Sequence, residues 1–412
     1  MAEVLTTAPD KLSPSAAQPM NTLGAWELPE ELRMLREVTR QFMEEEVRPV
    51  EDTLPHDCFK LPPEKLLPLQ EKAKKLGLWC VESPAEYGGA GLNLLGQAVV
   101  AEEGSRCKMG AYIRACGAFS HDPPNVIFLA TPQQIKTYAL PTMEGRRKAF
   151  VAISEPSGGS DPARAIRTRA VRKGDRYVIN GTKTWITDAG NCDWGILFAR
   201  TGELGDRGGI TCFIVDSNTP GISFRRIPVI RAYSPYEIHF IDAEIPAENR
   251  IGEEGQGFRV AEKWLVHGRV PYAAGVIGVA QLALEMAIEW VKQRETFGAK
   301  LATRQAIQFM IADSEMELEA ARLLTYKAAW EGDLGHDNKI AASIAKLMAT
   351  ETAGRVVDRC VQMFGGMGVA QEMPLERWYR EMRVKRLGEG PSEVQRMVVA
   401  RSLLGDAART SR

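Results

Sequence analysis

The sequence has few of the residue patterns that mark metal-binding, disulfide-bonded or nucleic-acid-binding proteins. Its seven cysteines are scattered over 412 residues and form no CxxC pair, which predicts free thiols in a reducing compartment. Its five histidines show no HxxxH or HExxH spacing, so we predict no metal site. The net charge of −1 gives no reason to expect nucleic acid or an anionic membrane as a partner.

The sequence also lacks an apolar run of the roughly 20 residues that a membrane helix needs. The longest candidate, 273–287, is interrupted by Gln281 and Glu285. Residues 1–25 are rich in Ser, Thr, Ala and Pro and contain no arginine, whereas a transit peptide is Arg-rich. We therefore predict a soluble, cytoplasmic protein with a disordered tail over residues 1–25.

Three patterns of apolar residues follow one another along the rest of the chain. Residues 26–149 carry apolar side chains at three- and four-residue spacing, which predicts an N-terminal helical domain. Residues 150–257 contain short β-branched or aromatic runs between turn residues, which predicts a compact β domain with Asn180-Gly181 as a hairpin turn. Residues 258–412 carry the long apolar stripes of a helical bundle. This order argues against a βαβ Rossmann domain.

Two stretches of the β region suggest a cofactor site. Residues 150–161 read FVAISEPSGGSD, and residues 183–188 read KTWITD. A Ser/Gly-rich turn offers N–H groups and hydroxyls to a phosphate or a flavin edge, although a lone tryptophan in a β domain is more often a core residue. The first stretch resembles the TEPxxGSD signature of the acyl-CoA dehydrogenase family. The resemblance implies that FAD is bound by Ile153, Ser154, Ser160, Trp185 and Thr187, and that Ser160 also contacts the substrate.

A second stretch, QRETFGAKLATRQAIQF at 293–309, resembles the RxxFGxxLxxxQxxQ motif of the same family. The fixed fork of donors on arginine suits a pyrophosphate. The alternative is a surface arginine in an ordinary helix salt bridge. The resemblance implies a homo-oligomer, a dimer of dimers and hence a homotetramer, in which the neighbouring subunit's FAD is contacted by Arg294, Phe297 and Gln305.

A third pair of stretches, CVQMFGGMG at 360–368 and RLGEGPSEVQ at 386–395, resembles the family's QxxGGxG and EGTSEIQ segments. Glu389 aligns with the catalytic base of the family, and burial against a flavin would raise its pKa. A glutamate between glycines is otherwise a solvated loop residue, and Glu393 is the competing candidate. The resemblance also implies a substrate contact by Gly390 and cofactor contacts by Gln362, Gly366 and Glu393.

Some family members carry the base on a helix, immediately before an arginine. Here Gly268 stands before Arg269, so that position has no carboxylate and Glu389 is favoured. Arg269 matches the family arginine that faces the base and CoA, and a structural salt bridge is the alternative. The chain departs from the family at Pro391, where threonine is usual, and at Val266, where some members have aspartate.

The resemblance implies an α+β fold with an N-terminal helical domain, a middle β-barrel domain and a C-terminal four-helix bundle. It implies an oxidoreductase of fatty acid metabolism that converts an acyl-CoA to a trans-2-enoyl-CoA. In this reaction Glu389 takes the α-proton, flavin N5 accepts the β-hydride, and an electron-transfer flavoprotein collects the electrons.

Two alternatives remain open. The first is an oxidase or a desulfinase-like flavoprotein of the same fold, in which Arg114 would bind a polar or acidic acyl end instead of forming a helix salt bridge. The second is a binding protein that has lost its flavin. The sequence does not indicate the length or branching of the acyl chain.

Overall fold

The computed structural model describes residues 28–56, 58–119, 122–231 and 233–408. The predicted disordered tail over residues 1–25 lies outside the described residues. Along the chain, a helical region is followed by a sheet and then by a second helical region, which confirms the predicted α+β class and the order of its parts.

The N-terminal region contains short helices. Most of its buried apolar side chains form an N-terminal core, and the others enter the cores of the sheet and of the C-terminal helices. The helices are α1 (Glu30–Phe42), α2 (Arg48–Glu51), α3 (Pro63–Lys75), α4 (Leu94–Gly104), α5 (Pro132–Gln134) and α6 (Leu140–Met143). Every residue of α4 is buried. Its first turn is capped by the Asn93 side chain, and the Asp333 carboxylate accepts the N–H groups of Leu94 and Leu95 at 2.6 and 3.0 Å. These bonds attach the N-terminal region to the C-terminal helices.

The middle region is one mixed sheet of eight strands. They are β1 (Ala149–Ala152), β2 (Arg169–Lys173), β3 (Arg176–Thr187), β4 (Trp194–Arg200), β5 (Ile210–Asp216), β6 (Ile222–Arg226), β7 (Pro235–Pro246) and β8 (Arg250–Ile251), with the short helix α7 (Pro162–Ala165) before β2. The pairing order is β6-β7-β3-β2-β4-β5-β8, and β1 also pairs with β4. Every residue of β4 is buried, because Ile196 and Phe198 pack towards the helices while Leu197 and Ala199 enter a second core.

The prediction of a hairpin turn at Asn180-Gly181 is wrong. The two residues lie inside β3, where a register shift opposite β7 marks a bulge. A β-carbon on Gly181 would stand 2.6 Å from Cα of Thr168, so the glycine allows a close approach of two backbones. Asn180 exchanges two side-chain hydrogen bonds with Asp242 at the bulge. The turn between β2 and β3 lies instead at 174–175.

The C-terminal region contains three long helices, α8 (Gly257–Gln293), α9 (Gln305–Asp333) and α10 (Lys339–Phe364), and two shorter ones, α11 (Leu375–Lys385) and α12 (Ser392–Leu404). A two-stranded hairpin of β9 (Glu295–Thr296) and β10 (Ala299–Lys300) joins α8 to α9. One apolar core, rich in alanine, joins α8, α9, α10 and α11 to α4. The loop between α11 and α12 carries Glu389.

Helix α8 is long and apolar enough to cross a membrane by length and composition alone. The sequence-based expectation that no segment reaches that length is therefore wrong. However, 61% of the apolar window is buried inside the fold, where it belongs to the core shared with α9 and α10. Packing inside the protein accounts for the apolar composition of α8.

Candidate active site

Glu389 occupies a strained position in the loop between α11 and α12. Its φ is +56°, a region that side chains other than glycine rarely adopt and that often marks functional sites. Its Oε2 atom is buried and has no hydrogen-bond partner among the described residues. Burial raises the pKa of Glu389, while the cations Arg269, Lys385 and Lys346 act in the opposite direction. An unpaired carboxylate in this state is suited to accept a proton.

Gly268 and Arg269 face this carboxylate from α8. A β-carbon on Gly268 would lie 3.8 Å from Oε2 of Glu389. Arg269 is buried and donates from Nη1 to the Ser343 hydroxyl at 3.2 Å, whereas its Nε has no partner among the described residues. Its charge is the largest of those that lower the pKa of Glu389. The charge of Arg269 therefore acts on Glu389 from α8.

Lys346 and Gln395 hold the loop from the opposite side. Lys346, on α10, is fully buried and donates to the carbonyls of Gly390 at 2.9 Å and Arg386 at 3.4 Å. Gln395 donates from Nε2 to the carbonyls of Glu389 and Gly390 at 3.1 and 2.9 Å. Sequence reasoning missed Lys346. The available signal was a lysine on the buried alanine stripe of α10.

A polar cluster adjoins the loop. A β-carbon on Gly388 would lie 2.7 Å from the Tyr272 hydroxyl, which donates to the Lys385 carbonyl at 3.0 Å. The Lys385 ammonium lies 3.7 Å from the ring centroid of Tyr112 and 4.3 Å from that of Tyr272. Burial lowers the pKa of Lys385 to about 7 and raises the pKa of the neighbouring Glu381 to about 7. The side of the site behind Gly388 is therefore already filled with polar side chains.

The Ser/Gly-rich turn predicted to bind the cofactor is fixed to β3 by a buried ion pair. The Lys183 ammonium lies 2.8 Å from the Glu155 carboxylate and donates to the Ile153 carbonyl at 2.8 Å. The Thr184 N–H donates to the Ser154 carbonyl at 2.9 Å. Glu155 also accepts the N–H groups of residues 167 and 168. Both members of the pair lie in the motif stretches, yet sequence reasoning did not identify their role.

Trp185 and Thr187 extend from the end of β3 beside this turn. Trp185 is 59% exposed on backbone with φ of +64°, at a register shift with β7. A positive φ and an exposed aromatic ring are both unfavourable, and a ring held in this way suits a flat ligand such as a flavin. The Thr187 hydroxyl accepts a bond from Arg231 at 3.3 Å, and the Arg231 guanidinium lies 3.9 Å from the Tyr112 ring centroid. Arg231, which sequence reasoning missed, thus links this strand to the cluster beside the base. Ser160 is exposed on the same turn.

The remaining predicted cofactor residues lie at the other end of the bundle. Trp290 stacks on Phe364 with ring centroids 4.9 Å apart, and Arg294 lies 6.0 Å above Trp290, which brings the ends of α8 and α10 together. Phe297 is fully exposed at the tip of the hairpin. Arg294 follows Arg269 by 25 residues, which corresponds to roughly 37 Å along a helix. Exposed residues of this second group are Arg294, Phe297, Gln305, Gln362 and Gly366.

The structure assigns Arg114 and Glu393 to other environments. Arg114 forms a salt bridge with Glu82 at 2.6 Å, which is the alternative considered from the sequence, and its charge is therefore neutralised. Glu393 is exposed in the first turn of α12, whereas Oε2 of Glu389 is buried. Glu393 is therefore the weaker candidate for the base.

One group of side chains outside this site could hold a metal ion. The ligand atoms of Glu51, Cys107 and Cys116 all lie within 4.8 Å of one another. The Glu51 carboxylate already accepts bonds from the Lys108 N–H at 2.9 Å and from the Cys116 thiol at 3.3 Å. The two cysteines belong to the N-terminal core. Because the three residues are far apart in sequence, no spacing motif predicts this group.

Comparisons with known proteins find matches along most of the chain. Family models for the acyl-CoA dehydrogenase N-terminal, middle and C-terminal domains match residues 29–146, 150–243 and 255–404. The mitochondrial short-chain specific acyl-CoA dehydrogenase of Rattus norvegicus is 38% identical over 92% of this chain and 91% of its own. The caffeyl-CoA reductase-Etf complex subunit CarC of Acetobacterium woodii is 36% identical over 91% of this chain and 98% of its own. The structure of butyryl-CoA dehydrogenase from Megasphaera elsdenii superposes with a TM-score of 0.80 at 33% identity, covering 92% and 99% of the two chains.

Proposed function

Because the chain belongs to the acyl-CoA dehydrogenase family of FAD-binding oxidoreductases, we propose that it converts an acyl-CoA to a trans-2-enoyl-CoA with Glu389 as the base. The observation that carries the assignment is the buried, unpartnered Oε2 of Glu389 opposite Arg269. Removal of a weakly acidic α-proton needs a carboxylate that is shielded from water and free of competing donors.

The residues around Glu389 divide the work of the reaction. Its carboxylate accepts the α-proton. Burial raises the pKa of that carboxylate, and the charges of Arg269, Lys385 and Lys346 act in the opposite direction. Its backbone N–H is bonded to no acceptor among the described residues and is available to the thioester carbonyl, where negative charge develops. Bound FAD supplies the acceptor for the hydride that leaves the β-carbon.

The first group of cofactor residues would hold the flavin ring. Trp185 offers its exposed face, Thr187 a hydroxyl, and the turn at 154–160 its N–H groups and serines. The fixed position of this turn against β3 supports the assignment, because a preorganised site binds with less loss of conformational freedom.

The second group supports a homo-oligomer. Arg294 and Gln305 lie at the far end of the bundle from Glu389, whereas one FAD molecule must reach the base. We infer that they bind the pyrophosphate of a neighbouring subunit's FAD and that the enzyme is a homotetramer, a dimer of dimers. The fully exposed Phe297 is suited to insertion into a partner surface.

We also propose a short acyl group and a separate electron acceptor. The Tyr272 hydroxyl occupies the space beside Gly388, which shortens the room behind the base, and one relative is named as short-chain specific. A relative named as part of an Etf complex supports electron-transfer flavoprotein as the acceptor. We propose that the enzyme acts in the cytoplasm and in fatty acid metabolism. The desulfinase-like alternative loses support because Arg114, which would bind a polar acyl end, is paired with Glu82.

A screen of acyl-CoAs with a dye acceptor, with and without oxygen, tests this function. We expect turnover of short acyl-CoAs that does not depend on oxygen. Glu389→Gln should retain FAD and lose roughly 10²- to 10⁴-fold in turnover, whereas Glu393→Gln should stay within a few-fold of wild type. A fully active Glu389→Gln enzyme would refute the assignment, and a chain that cannot be loaded with FAD would favour the binding protein.

A further inference from the structure

Lys346 places a buried positive charge directly behind the loop of the base. Its side chain is 0% exposed, and its ammonium donates to the carbonyls of Gly390 and Arg386, which lie on either side of Glu389. Among the described residues it has no carboxylate within 4.0 Å. A buried ammonium without a direct counterion is costly to keep in a fold.

The hydrogen bonds of the loop alone do not explain a charged residue there. Gln395, a neutral and fully buried side chain, already donates to the carbonyls of Glu389 and Gly390. A second neutral donor would complete the same pattern without the cost of burying a charge. The ammonium therefore adds an electrostatic effect that a neutral donor lacks.

The charged groups that face Glu389 come from several elements. Arg269 lies on α8, Lys346 on α10 and Lys385 on α11, and all three stabilise the ionised carboxylate, whereas Glu82 opposes it. Burial lowers the pKa of Lys346 to about 8, and Arg269 acts in the same direction. The carboxylates of Glu389, of Glu351 on α10 and of Glu393 on α12 act in the opposite direction. Arg269 is buried and bonds to the Ser343 hydroxyl, and Lys385 is enclosed between tyrosine rings. Lys346 is the cation that bonds directly to the loop of the base.

We propose that Lys346 is a positioning residue for the base: it fixes the strained backbone at 389–390 so that the carboxylate faces Gly268 and Arg269, and it places a positive charge behind that loop. The proposal rests on the proposed function of Glu389. Both effects act through Glu389, so Lys346 need not touch the substrate or FAD. After it has accepted the α-proton, Glu389 is protonated and neutral.

The sign of the pH effect follows from the charges. An ammonium near a carboxylate favours the ionised form and lowers the carboxylate's pKa. Removing the ammonium raises the pKa of Glu389, so the protonated, inactive form persists to higher pH. The acid limb of kcat/KM therefore moves to higher pH, while the affinity for acyl-CoA changes little.

Two substitutions separate the charge from the hydrogen bonds. Lys346→Met removes both, and Lys346→Gln retains a donor without the charge. Lys327→Met is the matched control, because Lys327 is an exposed lysine on α9 that pairs with Glu331. The measurements are FAD content, the pH dependence of kcat/KM, and exchange of substrate α-hydrogen for deuterium in D₂O. Exchange reports on proton removal alone.

For Lys346→Met we expect FAD content and KM near those of wild type, kcat lower by about 10- to 100-fold because the base is displaced, and an acid limb at higher pH. Lys346→Gln should have a higher kcat than Lys346→Met, and its acid limb of kcat/KM should also lie at higher pH than that of wild type. Should the Met variant fail to fold, the Gln variant decides. If the acid limb of kcat/KM, kcat and the α-hydrogen exchange all stay as in wild type while Glu389→Gln is inactive, the proposed role of Lys346 is wrong and that of Glu389 stands. An active Glu389→Gln enzyme overturns both the proposed function and this inference.

Discussion

A β-carbon on Gly268 would stand 3.8 Å from Oε2 of Glu389. Side chains from α8 and from the loop after α11 can therefore reach the same place. A glutamate at 268 would project into the space that the Glu389 carboxylate now occupies. The fold therefore allows the proposed base to stand at either of two positions along the chain. What the fold fixes is the place where a carboxylate is buried opposite Arg269.

We predict that the base can be moved to the helix. The double variant Gly268→Glu/Glu389→Gly should recover at least about tenfold in turnover over Glu389→Gly alone, since general-base catalysis requires a carboxylate within reach of the proton. Glutamate also suits the interior of a helix better than glycine does. Turnover of short acyl-CoAs with a dye acceptor measures the effect. A double variant no more active than Glu389→Gly, with FAD bound in both, would contradict this prediction.

Arg269 should control the pH dependence of the reaction. Its charge is the largest of those that lower the pKa of Glu389, so Arg269→Met should raise that pKa and move the acid limb of kcat/KM to higher pH. Arg269→Lys retains a positive charge and should shift the limb less. The pH profiles of the three enzymes provide the measurement. Identical acid limbs in wild type and Arg269→Met would show that the two residues are not coupled.

Lys183 should be needed for stability as well as for cofactor binding. It is fully buried and pairs with Glu155 beneath the Ser/Gly-rich turn. Lys183→Met leaves the Glu155 charge buried without its partner, which should lower the free energy of unfolding by about 3 kcal/mol. Urea denaturation of the FAD-free chain measures this, with the exposed Lys173→Met as control. A loss as small as that of the control would mean that the pair contributes little.

How much of this could be read from the sequence depends on the range of the interactions. The change from helical to alternating periodicity is local, and it correctly predicted the order of the three regions. Glu389 was identified through the resemblance of its loop to a family segment. Lys346 and Arg231 were missed, because their roles depend on contacts with residues 40 or more positions away. The alanine stripe of α10 indicates that Lys346 is buried, but it does not indicate which loop the lysine contacts.

Asn180-Gly181 shows the opposite failure. Its local preference for a turn is real, but the strand continues because β3 is paired with both β2 and β7. The glycine meets the need for a close approach to Thr168, and the asparagine serves the bulge through Asp242. The same residues that would make a hairpin turn therefore serve a bulge when tertiary pairing decides the structure.

The separation of Arg294 from Glu389 predicts that each active site is built from two subunits. Arg294→Met should reduce FAD retention, and Glu389→Gln should abolish turnover, so each variant alone is expected to be weakly active or inactive. In a hetero-oligomer of the two, one site combines the intact Glu389 of the Arg294→Met chain with the intact Arg294 of its partner. Equal co-expression should therefore restore about a quarter of wild-type activity if subunits pair at random around a two-fold axis.

The design distinguishes the two possible arrangements of the cofactor. If Arg294 served the FAD of its own chain, every site in the mixture would lack one of the two residues and activity would not return. Co-expression of Glu389→Gln with Lys327→Met is the control, because the Lys327→Met chain is expected to be fully active whichever partner it has. Activity and FAD content of the purified mixed oligomers, each subunit carrying a different affinity tag, give the measurement. Activity no higher than that of the two variants alone would mean that Arg294 does not serve the neighbouring site. The FAD of one chain would then have to span the roughly 37 Å along α8.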